Sequence, residues 1–252
     1  MARSTFLITG LGGSLAPRLA QVANDQACDV LGWNRKEVDP EDLIASQTFL
    51  EKTRPDAIFH LANGSVDWCG RLAKFAAQCA IPFVYTSTAM VFDHEPNGPH
   101  QIDDKRTARD EYGQYKIACE NAIRAKNPAA IVARIGWQID PEQAGNNMLM
   151  ALDQWQERDG NVGASRLWRP ACSFMQDTAA ALITLAQSQA SGVFHLDSNA
   201  IEGRTFAELV AALKKQFARE NWIIREHEDY QHDQRLVGSA ELMPTLSSRL
   251  GF

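Results

Sequence analysis

The 252-residue sequence has no excess of positive charge, no long apolar run and few cysteines, and each shortage excludes a class of function. Its 25 lysines and arginines are outnumbered by 31 aspartates and glutamates, for a formal net charge of −6. A chain with that balance lacks the electrostatic footprint for a nucleic-acid backbone or another polyanion. No apolar stretch approaches the ~18–20 residues that a membrane-crossing helix requires, so no membrane partner is expected. The five cysteines, Cys28, Cys69, Cys79, Cys119 and Cys172, are odd in number and form no Cys-x-x-Cys pair. Free thiols in a reducing compartment fit that pattern better than a disulfide frame. The histidines show no metal-ligand spacing alongside cysteine or aspartate, so no metal is expected. The opening residues enter an apolar run at once and leave no room for a signal peptide. The expectation is a cytoplasmic protein.

What is present is an ordinary globular composition, with 45% hydrophobic residues, enough for a full core. In the first half, short apolar runs alternate with helical patterns. Strands are expected at 5–9, 29–33, 57–62, 82–86 and 130–135, and helices at 15–24, 39–53, 68–79 and 108–125. The 39–53 helix is read as starting on Asp39-Pro40, a favoured entry signal. Strands alternating with helices, and apolar on both faces, imply an α/β fold with a doubly wound parallel sheet. The second half is less regular. Helices are expected at 147–156, 177–188 and 205–218, the last with a Thr205 cap and Glu208 at its third position. Strands are expected at 192–196 and 221–226, and a short amphipathic piece at 239–252. The chain divides into a core at 1–140 and a small lobe at 141–252, interwoven with the core as a single structural unit.

Three short motifs carry chemistry. The first is the turn Thr9-Gly10-Leu11-Gly12-Gly13-Ser14-Leu15-Ala16 after the first strand. Gly10, Gly13 and Ala16 stand at a Gly-x-x-Gly-x-x-Ala spacing, which allows a tight turn and presents helix N-terminal amides to a pyrophosphate. Plain strand-to-helix geometry is the competing reading. At the end of the second strand an acidic residue would bind ribose hydroxyls. Asn34, Arg35 and Lys36 stand there instead, and two cations suit a ribose 2′-phosphate, or else form a solvated loop. Asp39 caps a helix or touches an adenine. The second motif, Thr86-Ser87-Thr88, closes an apolar run. Thr88 can donate to a carbonyl oxygen or bond its own backbone; Ser87 is the neighbouring candidate, and strand alternation lets only one face the site. The third is Tyr112-Gly113-Gln114-Tyr115-Lys116. A tyrosine is a poor acid near neutrality, with a free pKa of about 10, and a nearby cation lowers it. Lys116, four residues after Tyr112, shares its helical face, whereas Tyr115 does not. Phosphate cradle, hydroxyl donor and Tyr/Lys pair together equip a chain to move a hydride between a nicotinamide and a carbonyl carbon.

In these residues the sequence resembles the extended short-chain dehydrogenase/reductase family, most closely the dTDP-4-dehydrorhamnose reductase-like sugar-nucleotide reductases. Ser87-Thr88-Ala89-Met90-Val91-Phe92 is similar to that family's Ser-Thr-Asp-Tyr-Val-Phe. Tyr112-Gly113-Gln114-Tyr115-Lys116, with Glu120 four residues on, is similar to its Tyr-Gly-x-x-Lys segment. Arg134-Ile135-Gly136-Trp137, Asn146-Asn147-Met148 and Gly192-Val193-Phe194-His195-Leu196 resemble three further family stretches. The resemblance implies a Rossmann-type core with a small C-terminal substrate lobe. It implies NADP(H) as the preferred cofactor, NAD(H) as the alternative, and Thr88, Tyr112 and Lys116 as the catalytic trio. Gly10 to Leu15, with Asn34, Arg35, Lys36, Leu61, Ala62, Asn63, Tyr112 and Lys116, would hold the cofactor. The substrate implied is a keto sugar on a nucleoside diphosphate, reduced in a monomer or homodimer.

Such a substrate needs arginine for its pyrophosphate and an aromatic face for stacking. Arg166 and Arg169 bracket Trp168, and either serve that purpose or snorkel on a surface loop. Thr88, Asp67, Trp137, Asn147, Trp168 and Arg169 are the candidate substrate residues. Trp137 is equally readable as core and Asn147 as a helix cap, while His60, in a buried strand, is read as a satisfied core residue. The sequence departs from the family at Ala89, where an aspartate is usual, at Met90, where a tyrosine is usual, and in a short stretch from Asp67 to Thr88. Those departures leave two other readings: reduction of another small carbonyl compound, and a cofactor-binding regulatory subunit without turnover.

Overall fold

Runs of apolar residues become strands where a sheet is covered on both faces, and the first half of the chain follows that rule. In the computed structural model, which describes residues 3–142 and 145–252, the first five strands are β1 (Thr5–Thr9), β2 (Asp29–Gly32), β3 (Ala57–His60), β4 (Phe83–Thr88) and β5 (Ile131–Ile135). Four helices connect them: α1 (Leu15–Asp25), α2 (Leu43–Thr53), α3 (Val66–Cys79) and α4 (Glu111–Lys126). Then come β6 (Trp137–Ile139), α5 (Met148–Asp159), β7 (Val162–Ser165), β8 (Trp168–Arg169), β9 (Cys172–Phe174) and α6 (Met175–Gln187). The described elements end with β10 (Gly192–Leu196), α7 (Phe206–Gln216), β11 (Ile224–His227), β12 (His232–Asp233) and short 3₁₀ turns.

Six strands form one sheet in the order β10-β5-β4-β3-β1-β2. Pairing is parallel between β1 and β2, β1 and β3, and β3 and β4. The strand order reverses at β1, which has β2 on one side and β3 on the other. That reversal is the topological switch point at which doubly wound sheets open a crevice at their carboxyl ends. The register aligns those ends, with Ile8 opposite Gly32 and Thr9 opposite His60. The loops after β1, β2 and β3 therefore emerge side by side.

By contacts the chain forms two compact units. The first holds residues up to Ser87 together with Arg109–Ala133 and Ala179–Phe194. The second holds Thr88–Ala108, Arg134–Thr178 and His195–Phe252, so it takes in residues well before position 141. In the first unit Leu7, Ile58, Trp68, Leu72, Phe83, Tyr85 and Ile123 share one buried cluster. In the second, Ile139, Leu149, Leu152, Val162, Phe206, Leu209 and Trp222 make another. The second unit also contains three short parallel pairs: β6 with β9, β7 with β11, and β8 with β12.

Helix starts differ from the sequence expectation where a better cap lies nearby. α2 begins at Leu43, because the Asp42 carboxylate accepts from the Ile44 and Ala45 amides. Asp39 instead accepts from the Glu41 amide and shapes the turn before it. α4 begins at Glu111 and not at 108, because Asp110 caps the Gly113 amide at 2.9 Å. α3 starts two residues early on Ser65, which caps Trp68. Each such cap is worth ~1 kcal/mol, enough to fix a boundary. The capping box of Thr205 and Glu208 on α7 is present as expected. The last strand of that region lies at Ile224–His227, not 221–226.

Candidate active site

The turn after β1 is built on a close backbone approach. Gly10 has φ +85°, and a Cβ placed on it would lie 2.9 Å from the Ala62 amide nitrogen. Only glycine fits a conformation and a gap of that kind. The Gly13 amide donates back to the Gly10 carbonyl at 2.8 Å and closes the turn. Ser14 precedes α1 without a side-chain cap, while Leu15 is buried and Leu11, within the turn, is exposed.

Beneath the turn runs a chain of hydrogen bonds that the sequence did not reveal. The Thr9 hydroxyl accepts from the Leu61 and Ala62 amides, both at 3.1 Å, and lies 2.8 Å from His60 Nδ1. With both lone pairs engaged, that hydroxyl donates its hydrogen to Nδ1, which leaves the hydrogen of His60 on Nε2. Nε2 lies 3.1 Å from Cys69 Sγ, and Cys69 in turn donates to Cys119 at 3.4 Å. His60 is thus a satisfied core residue. Burial, followed by the charges of Lys116 and Arg35, pulls its pKa down to about 3.

The loop after β2 carries the cations. Asn34 is engaged locally, donating to Glu37 and accepting from the Lys36 amide. Lys36 is exposed. Arg35 donates to the Asn63 carbonyl and lies over the Trp68 ring, 5.0 Å from its centroid. Asp67, in the first turn of α3, is exposed.

The candidate acid–base pair, Tyr112 and Lys116, lies on the first two turns of α4. Lys116 is 4% exposed and donates to the Thr86 carbonyl at 3.0 Å. Its ammonium sits 4.9 Å from the Tyr85 ring centroid, 5.7 Å from that of Tyr112 and 5.9 Å from that of Tyr115. Burial pulls the lysine below its usual range, while Cys119, Cys69 and Glu120 oppose the shift. Helical spacing assigns this face to Tyr112 alone, yet both tyrosine rings reach the ammonium. Their hydroxyls and surroundings differ. The Tyr115 hydroxyl accepts from the Gly64 amide at 3.0 Å, and burial raises its pKa. Tyr112 is 41% exposed. The Tyr115-Lys116 adjacency was the only sequence trace of this second ring.

Strand alternation separates the two hydroxyls at the end of β4. The Ser87 hydroxyl donates to the buried Glu120 carboxylate at 2.5 Å. Thr88 accepts from the Met90 amide at 3.2 Å. A hydroxyl that accepts from an amide keeps its own hydrogen to donate.

The remaining substrate candidates belong to the second unit. Trp137 opens β6 and stacks on Trp168 at 6.2 Å, and Trp168 packs on Phe206 at 4.4 Å. Asn147 caps α5 through the Met150 amide. Arg169 donates to the Gly203 carbonyl at 3.1 Å and lines a groove of about 610 Å³ with Arg166, Arg204, Glu202 and Glu208. Arg166 pairs with Glu226 and Glu228 at the exposed rim. Among the described residues no group of three or more His, Cys, Asp or Glu side chains could hold a metal ion. No described helix is long and apolar enough to cross a membrane.

A family model described as RmlD substrate binding domain matches residues 63–232. A probable low-salt glycan biosynthesis reductase of Haloferax volcanii is 28% identical over 236 residues, spanning 81% of this chain and 78% of its own length. A dTDP-4-dehydrorhamnose reductase of Mycobacterium tuberculosis is 24% identical over 220 residues, spanning 79% of this chain and 71% of its own. Among solved structures, a dTDP-4-dehydrorhamnose reductase from Bacillus anthracis in complex with NADP superposes with a TM-score of 0.81 at 15% identity. The match covers 97% of this chain and 96% of that one, and it is a likeness of fold.

Proposed function

Because the chain belongs to the RmlD substrate-binding domain family, we propose that it is an NADP(H)-dependent reductase of a keto sugar carried on a nucleoside diphosphate. The chain is of the extended short-chain dehydrogenase/reductase type. The observation that carries the reading is the Lys116 ammonium, buried among three tyrosine rings of which only that of Tyr112 is exposed.

The residues fit a dinucleotide. Gly10 permits the backbone approach and the turn to α1 leaves amides for a pyrophosphate. Leu61, Ala62 and Asn63 emerge beside that turn, and Arg35 and Lys36 supply cations for a 2′-phosphate. NADPH is the preferred cofactor and NADH the alternative. When bound, the dinucleotide supplies a hydride to the substrate's carbonyl carbon. Lys116 holds the nicotinamide ribose and favours the phenolate of Tyr112. Tyr112 then gives its proton to the carbonyl oxygen, and Thr88 donates its hydroxyl hydrogen to the same oxygen. Asp67, Trp137, Asn147, Trp168 and Arg169 are the proposed substrate contacts, with arginine on the pyrophosphate.

The test is a Tyr112→Phe variant, followed by NADPH absorbance with a panel of nucleotide-linked 4-keto sugars. NADPH binding should persist while the rate falls by about 10²–10⁴-fold, the usual contribution of a positioned acid. An undiminished rate would remove Tyr112 from the mechanism. The second reading, a cofactor-binding subunit without turnover, is favoured by Ala89 and Met90 standing where the resembled family pattern has aspartate and tyrosine. Tight NADPH binding with no turnover of any panel member, or of simpler carbonyl compounds, would select it.

A further inference from the structure

We propose that Trp68 is a positioning residue for cofactor choice: its indole face, together with the Asn63 carbonyl, holds the Arg35 guanidinium across the phosphate cradle and so favours a dinucleotide with a ribose 2′-phosphate. This inference rests on the reading of Arg35 given above and extends it to a residue outside the cation loop.

The sheet order carries the argument. β1 lies between β2 and β3, and its carboxyl end leads into the Gly10–Gly13 turn. Arg35 follows β2, and Asn63 follows β3. A hydrogen bond from Arg35 to the Asn63 carbonyl therefore arches over the end of β1. Strands two places apart in a sheet are separated by roughly 10 Å, a gap that a long arginine side chain can bridge from one loop. The guanidinium in that arch joins the loops on either side of the strand that leads into the turn proposed to take the pyrophosphate.

Trp68 fixes the arch from below. Its ring lies 5.0 Å from the guanidinium carbon. It is held edge-on by Trp33 at 5.4 Å and by His60 at 4.7 Å. Gly64 makes room for it, since a Cβ at position 64 would overlap the indole. The indole N–H is buried without a hydrogen-bond partner, which costs desolvation energy that a phenyl or leucyl side chain would avoid. The indole is also the ring with the strongest attraction for a cation on its face. An exposed arginine ordinarily loses much rotamer freedom when it takes a phosphate. One already laid on an aromatic plate loses less, and the gain falls on the phosphorylated ribose alone.

The experiment compares dissociation constants for NADPH and NADH by titration of the full chain. The variants are Trp68→Leu, Trp68→Phe, Arg35→Lys, Arg35→Gln and the double variant Trp68→Leu/Arg35→Gln. Trp68→Leu should lower the preference for NADPH over NADH by about two- to thirty-fold, the range of a cation–π contact. Trp68→Phe should lower it less. Arg35→Lys, which keeps the charge and loses the flat stack, should also lower it, and being an exposed change it guards against a Trp68 variant that fails to fold. On the Arg35→Gln background, Trp68→Leu should leave the preference where it is, as coupling through one side chain requires. A full preference in Trp68→Leu or in Arg35→Lys would overturn the inference. So would an equal loss of preference with and without Arg35, because Trp68 would then act on the fold and not on the cation. Failure of the underlying reading looks different: the parent binds neither nucleotide, or Arg35→Gln leaves the preference intact, and the inference falls with it.

Discussion

Replacing Gly10 with alanine tests the cradle at its tightest point. The residue has φ +85°, a region that costs an L-residue about 1–2 kcal/mol. The added methyl group would also sit 2.9 Å from the Ala62 nitrogen, 3.1 Å from its Cα and 3.2 Å from the Leu61 carbonyl carbon. All three are backbone atoms, so no side-chain rotation relieves the contact. Relief requires moving the loop after β3, which would pull the Leu61 and Ala62 amides off the Thr9 hydroxyl. Losing one such buried bond costs about 1–3 kcal/mol. The whole change should therefore cost about 2–5 kcal/mol. For a chain of this size that corresponds to a fall in Tm of about 4–20 °C. Gly12→Ala is the internal control, because nothing lies within 4 Å of its Cβ position, and its effect should stay within about 0.5 kcal/mol. Thermal melts followed by far-UV circular dichroism, with NADPH titration on the same samples, read both variants. If the two melt together and bind alike, the close approach is not what demands glycine at position 10.

Two buried groups should tilt the pH dependence of stability in opposite directions. His60, with a native pKa of about 3 against 6.5 unfolded, takes up its proton mainly in the unfolded chain between those values. Its contribution is intact above pH 6.5 and is lost as pH falls, by about 2 kcal/mol between pH 7 and pH 5. Asp197 is fully buried, and burial raises its pKa to about 7 against the pull of the Leu236, Asn199 and Cys172 amides. The native state then holds the extra proton between about pH 4 and 7, so this group's contribution falls as pH rises, again by about 2 kcal/mol from pH 5 to pH 7. Urea titrations at pH 5 and pH 7 should show His60→Gln gaining relative stability on the acid side. Asp197→Asn should gain relative stability on the neutral side. A variant whose pH slope matches the parent's would show that its group does not titrate differently on folding.

That Tyr112 and Lys116 lie together was legible because a helix repeats every 3.6 residues, and a spacing of four places two side chains on one face whatever else the chain does. The glycine turn was legible for a similar reason: a turn between an apolar run and a helical pattern is a local feature, as are β1 and α1 on either side of it. Boundaries shifted where two caps competed, as at Asp39 and Asp42, since both carboxylates satisfy the same local rule and packing selects between them. The short strands β6, β7, β8, β9 and β12 carry too few residues for a periodicity to register. They exist because a distant segment supplies their hydrogen bonds.

Sequence alone thus determined the alternation of strands and helices, the glycine turn and the tyrosine–lysine spacing, all of which follow from backbone dihedral preference and side-chain period within a few residues. Tertiary structure decided which of two tyrosines has its hydroxyl taken by the Gly64 amide, which of two neighbouring hydroxyls faces Glu120, and that an arginine after the second strand reaches a carbonyl after the third. Those outcomes depend on strand order, and strand order is set by the burial of whole faces against one another, a property that no short window of residues contains.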